Sequence, residues 1–178
     1  MSRIPLSPFV FPANGSEPGA PASRTASACA EHLPRPGEGD MMALGPAALF
    51  VVASLRVWAA PLMRPNERHP DWQGLFRLAA VAPHGLVGFD VLMTVIGAHA
   101  RRPIDVHCCA CPVLGEDERS MLRLVAALQA GMTTEAVMVL ADWLPEDVIV
   151  PALTGARQFA AEMSRASLML LPPAMTIQ

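Results

Sequence analysis

Arg101–Glu118 reads RRPIDVHCCACPVLGEDE. Pro103 stops the preceding helix from continuing. The acidic run Glu116, Asp117, Glu118 suits the partial positive charge at the start of a new helix. The stretch is therefore a non-helical hinge between two apolar helices, and the rest of the chain can be placed on either side of it. It carries His107, Cys108, Cys109 and Cys111, which include three of the chain's four cysteines, with Arg101 and Arg102 at its upstream end.

Upstream, Leu86–Ala100 predicts a helix whose polar positions are few. Asp90, Thr94 and Arg101 fall on one narrow stripe, and such a helix belongs in the middle of a core. Asp71 can cap a shorter helix from Trp72 to Val81, closed by Pro83 and a turn at His84-Gly85. Ala47–Ala60 is apolar almost all round, with Pro46 suited to its first turn and Pro61 and Pro65 ending it. Arg56 lies inside that run and must reach the surface or meet a carboxylate, because a lone buried charge is too costly. The window Met41–Met63 is long enough to raise a membrane span. Arg56 interrupts it, and Gly45, Pro46 and Pro61 shorten it, so a buried helix is expected and no membrane span.

Downstream, Glu116–Ala130 shows apolar residues at Met121, Leu124, Val125 and Leu128, a helical stripe with Glu116, Arg119 and Arg123 opposite. Gly131 ends it through a left-handed turn. Thr133 or Thr134 caps the next helix, which runs to Trp143 and is expected to bury Val137, Leu140, Ala141 and Leu144. Pro145-Glu146-Asp147 opens another segment, and Pro151 starts a last helix to about Ala166. Leu168–Leu171 is an apolar tail stopped by Pro172 and Pro173. Asp105–Cys109 and Val148–Val150 are short strand candidates without a visible partner.

Residues 1–40 are rich in Pro, Gly, Ser and Ala and have no apolar periodicity, so they read as a disordered tail. Met41 and Met42 are alternative starts for a chain without it. The expected architecture is all-α: a small irregular bundle of five to six helices over 41–172, behind that Pro-rich tail and before a short tail at 173–178.

Composition narrows the function. The chain has 178 residues, 52% of them apolar, a net charge of −3 and no lysine. A nonspecific nucleic-acid binder would show a basic footprint, so nucleic acid is not an expected partner. Close neighbours such as Cys108, Cys109 and Cys111 do not bridge with relaxed geometry. Free thiols in a reducing, cytoplasmic setting are therefore expected.

Four chemistries deserve weight. His107, Cys108, Cys109 and Cys111 are residue types that zinc prefers, but zinc sites usually separate their cysteines by two to four residues, and Cys29 lies in the tail. Arg101 and Arg102 could instead lower a nearby thiol pKa and make it redox-active. The simpler reading is that small cysteines fill a tight turn. For acid–base work the candidates are His84, Asp90, His99, Asp105 and His107. Asp90 stands out on its apolar helix, with an ion pair to Arg56 or Arg77 as the structural explanation. Ala127, Gly131, Val137 and Leu140 fit a helix-turn-helix, yet the second helix has no arginine and carries Glu135 and Asp142, which suits an ordinary helical hairpin better. No nucleophile elbow, zinc-protease or phosphate-loop motif occurs. Eleven methionines and abundant apolar surface suit protein contact and a core with many Met and Ala fillers equally. The leading expectation is a non-enzymatic interaction or regulatory protein that binds a protein partner or forms a homodimer, without a cofactor. The alternatives are a metal or redox sensor at the cysteine cluster and a helix-turn-helix regulator.

Overall fold

The computed structural model describes residues 9–10 and 39–170. Most of the stretch expected to be a disordered tail, Cys29 included, lies outside these residues, as does 171–178. The described residues form an all-α domain of six helices: α1 (Pro46–Met63), α2 (Trp72–Leu78), α3 (Pro83–His99), α4 (Glu116–Gln129), α5 (Thr133–Trp143) and α6 (Ile149–Arg165).

Helix ends depart from expectation where the stop signal is weak. Pro61 does not end α1 but sits in its last turn, and α1 continues two residues beyond it to Met63. α2 stops at Leu78 rather than Val81, because Ala80 turns left-handed at φ 55°. The Val81 amide then reaches back to the Phe76 carbonyl and the Ala80 amide to that of Arg77, a Schellman ending built without glycine. Gly131 (φ 75°) ends α4 by the same pattern, as anticipated, and Ser167 (φ 61°) ends α6. α3 begins at Pro83, so His84-Gly85 lies inside its first turn instead of forming a separate one. α5 buries Ala136, Leu140 and Trp143, whereas Val137 is half-buried and Ala141 exposed, a one-residue rotation from the expected face.

The core joins α1, α2, α3 and α6 through one phenylalanine each. Phe50 and Phe76 meet edge-on at 5.1 Å between ring centroids, and Phe89 and Phe159 lie 5.1 Å apart. Phe76 contacts both Phe89 and Phe159, closing the group. α1 is long and apolar enough by length and composition to cross a membrane, and half of it is buried inside the protein.

α3 and α6 pack antiparallel with backbone against backbone. A Cβ on Gly88 would stand 2.7 Å from the Gly155 carbonyl oxygen, and one on Gly155 would stand 2.7 Å from that of Gly88. Beyond α6 the chain runs extended along α4. The Gln129 carboxamide donates to the Leu168 carbonyl and accepts from the Leu170 amide, as a neighbouring strand would.

The hinge is not without strand partners. Ile104–Asp105 pairs in parallel with Phe9–Val10, and Val113–Leu114 pairs antiparallel with Gly39–Asp40. These partners lie far upstream, beyond the reach of a local reading of Asp105–Cys109. Val148–Val150 forms no strand; Glu146–Val148 is a 3-10 turn that leads into α6.

Gly88→Ala is expected to force α3 and α6 apart and to cost about 1–3 kcal/mol of stability, the usual range for overpacking. Urea unfolding of the variant against the wild type measures this, and an unchanged midpoint would show that the helices can separate freely.

Candidate functional site

The hinge is held in place by a charged pair inside the protein. Arg56 on α1 is 1% exposed and Glu118 in the first turn of α4 is 0% exposed. The guanidinium meets the carboxylate side-on, with Nε to Oε1 at 2.7 Å and Nη2 to Oε2 at 2.8 Å. Its remaining hydrogens go to hinge carbonyls: Nη1 donates to Cys111 at 2.6 Å and Cys108 at 3.3 Å, and Nη2 donates to Val113 at 2.6 Å. The Glu118 carboxylate in turn accepts from the backbone amides of His107 and Gly115. The second contact is the glutamate half of a capping box. Arg56 thus finds a carboxylate, and the hydrogen-bonding directions the two groups do not use on each other go to the loop they enclose.

Asp117 does the same at the outer edge of the hinge. It is 3% exposed and accepts from Arg102 through both oxygens, from the Asp105 amide at 2.8 Å and from Trp143 Nε1 at 3.0 Å. Burial alone would raise its carboxyl pKa, but the hydrogen bonds from Arg102, Asp105 and Trp143 together outweigh that and hold it below the ordinary 3.8. Arg102 also reaches Asp142 on α5 at 2.6 Å. Its own pKa is raised, chiefly by the bond to Asp117. Arg102 is therefore a structural clamp and does not face the thiols. Arg101 is exposed, and its amide donates to the Trp143 carbonyl.

Inside this frame, Cys108 to Cys111 make a tight turn closed by the Cys111 amide on the Cys108 carbonyl at 3.0 Å. Three free thiols were expected; instead Cys108 is disulfide-bonded, while Cys109 and Cys111 are free. That expectation weighed only bridges between close neighbours in the cluster. Cys109 is exposed and lines a cavity of about 260 Å³ with Arg64, Glu67 and His69. Desolvation pushes its thiol above the ordinary value, with Arg56 and Arg64 pulling the other way. Cys111 is buried, its sulfur 3.5 Å from His107 Nδ1.

The proposed metal set, His107, Cys108, Cys109 and Cys111, does not converge. Among the described residues no three His, Cys, Asp or Glu side chains form a group that could hold an ion. The His107 ring turns its Nδ1 to the Val113 carbonyl at 3.0 Å, and Asp105 lies 3.9 Å from its Nε2. Asp90 forms neither expected ion pair. It is exposed and accepts from Trp58 Nε1 at 3.1 Å, while Arg77 goes to Asp71. His84 and His99 are exposed at opposite ends of α3, away from one another. For the helix-turn-helix set, Ala127 and Leu140 are buried and Val137 half-buried, which suits an α4–α5 hairpin. The exposed side of α5 carries Glu135 and Asp142.

Sequence reasoning did not anticipate that Asp117 and Glu118 organise the site. The available signal was the combination of one arginine inside an apolar helix and an acidic triplet just after a hinge. Comparison with protein-family models, curated proteins and solved structures finds no match to this chain.

Glu118→Gln leaves the Arg56 charge buried without its counter-ion and is expected to cost about 3–5 kcal/mol, measured by urea unfolding. A loss under about 1 kcal/mol would mean that the pair does not govern the hinge. Asp117 gives a pH signature. Its folded-state pKa is depressed, so its contribution is present above the unfolded value near 3.8 and drains away as pH falls through the folded value. The stability gap between wild type and Asp117→Asn is therefore expected to be widest near neutrality and to shrink on acidification below pH 3.8. A gap independent of pH would contradict this.

Proposed function

We propose that the protein is a non-enzymatic interaction or regulatory module that pairs with a second copy of itself across the α4–α5 face. What supports this reading is an apolar groove next to a patch that carries both signs of charge. An open groove of about 740 Å³ runs between the start of α1, α4 and the segment after α6, with Leu114, Leu122, Ala126 and Met169 among its apolar walls and Arg119 and Arg123 at its rim. Beside it, Arg123, Glu135, Met138 and Asp142 line a shallower depression of about 310 Å³. Met138 is 69% exposed, a large apolar side chain lining the same depression as Arg123, Glu135 and Asp142.

Arg119 and Glu135 form no ion pair among the described residues, and Arg123 donates to the Ser120 hydroxyl alone. Basic and acidic groups placed side by side on one face are self-complementary under a two-fold axis, since each arginine then faces the other copy's carboxylate. The apolar groove and Met138 supply the desolvated centre that such an interface needs. No cofactor and no nucleic acid enter this reading.

Sedimentation velocity on the full chain tests it. A concentration-dependent monomer–dimer equilibrium is expected, Arg123→Glu is expected to weaken it at least about tenfold, and the charge swap Arg123→Glu/Glu135→Arg is expected to restore it. A strict monomer at the highest attainable concentration, or a swap that fails to restore pairing, retires the proposal.

A further inference from the structure

We infer that the groove between the start of α1, α4 and the segment after α6 binds a small amphipathic carboxylate, an alkyl chain with a singly charged head. This goes beyond self-association and does not rest on it, since every wall of the groove belongs to one chain.

Shape is the first argument. Three separate elements enclose a concavity of about 740 Å³, within the span of roughly 300–1,000 Å³ that small-molecule sites occupy. Its apolar walls are aliphatic, with Leu44, Leu114, Leu122 and Leu170 among them. Among the described residues that line it there is no aromatic ring, side-chain hydroxyl or carboxamide. Such walls suit a flexible hydrocarbon chain, whose burial is driven by the area removed from water. They offer a sugar or a planar base little to bond to or stack on.

Charge is the second argument. The charged side chains of the groove, Glu116, Arg119 and Arg123, all stand on α4. Two arginines and one glutamate leave one net positive charge. Arg123 is tied to the Ser120 hydroxyl, whereas Arg119 is half-buried and forms no ion pair among the described residues. A guanidinium in that position presents a planar fork that matches a carboxylate. A doubly charged head would overshoot the single net charge and meet Glu116. The α1 wall adds to the positive side. Its first turn has no side-chain cap and no acid, and the Ala47 and Ala48 amides precede its first bond, from the Leu49 amide to the Gly45 carbonyl.

Direction is the third. Arg119, Leu122 and Ala126 stand at i, i+3 and i+7 on one face of α4. At 1.5 Å per residue they span about 10 Å along the helix. A head bound at Arg119 therefore lays an extended chain of medium length along the aliphatic floor, under Leu170.

Isothermal titration calorimetry of the full chain with decanoate, and with 1-decanol as its uncharged match, tests this. Saturable binding of a single decanoate per chain is expected, at least about tenfold tighter than decanol. Arg119→Gln is expected to keep the decanol affinity and lose the preference for decanoate. A general loosening of the fold would instead weaken both ligands together. Ala126→Trp fills the groove and is expected to abolish binding of both, with circular dichroism establishing that it is folded. Glu135→Arg lies outside the groove. It is expected to weaken pairing yet leave decanoate binding within about twofold, so that failure of the two proposals can be told apart. Absence of saturable decanoate binding, equal affinity of the wild type for both ligands, a preference that survives Arg119→Gln, or binding that survives Ala126→Trp overturns the inference. So does association with phosphatidylglycerol vesicles in the absence of decanoate binding, which would mark a membrane contact instead.

Discussion

A guanidinium and a carboxylate shut away from water set the terms for this fold. Removing two charges from solvent is expensive, on the order of several kcal/mol for each ion, and their attraction roughly repays that only when all their hydrogen bonds are met. Arg56 and Glu118 meet them with hinge backbone: the carbonyls of Cys108, Cys111 and Val113 on one side, and the amides of His107 and Gly115 on the other. The pair is therefore poor as a source of net stability and effective as a specifier. A displaced hinge would strand both ions and five backbone groups together, so competing loop conformations are excluded cooperatively.

The same logic extends outward through Asp117. Its two oxygens tie Arg102, the Asp105 amide and the Trp143 indole to one point, and Arg102 carries the link on to Asp142. Adjacent acids in a helix's first turn thus serve opposite ends of one loop: Glu118 faces α1, and Asp117 faces α5. A role as helix-dipole partners accounts for their position in the sequence but not for their burial. Asp90, by contrast, drew attention for its apolar neighbourhood, yet an exposed place on α3 beside Trp58 is all it occupies.

How far the sequence could be read follows from the range of each interaction. The helices were legible because their evidence is local: the stripe Met121, Leu124, Val125, the Asp71 cap and the Gly131 stop all sit within a few residues of what they determine. Ends made by Ala80 and Ser167 were not, because a left-handed alanine or serine carries no composition signal. The strand partners of the hinge were invisible for a related reason, since two-residue pairings with Phe9–Val10 and Gly39–Asp40 are fixed by tertiary contact. Arg56 was legible as a residue needing a carboxylate but not as one needing Glu118 in particular, 62 positions away. The cysteines were legible as a cluster. Their surroundings depend on a turn and a histidine orientation that the letters do not encode.

The extended segment after α6 is bonded to α4 through the Gln129 carboxamide, and Leu168 and Leu170 pack on the core. Both Gln129 bonds go to backbone groups, so they fix the register of the segment independently of its side chains. Leu170, buried at the end of that segment, forms part of the groove wall. The depth of the groove is therefore set by where one glutamine pins a stretch of backbone that belongs to no helix.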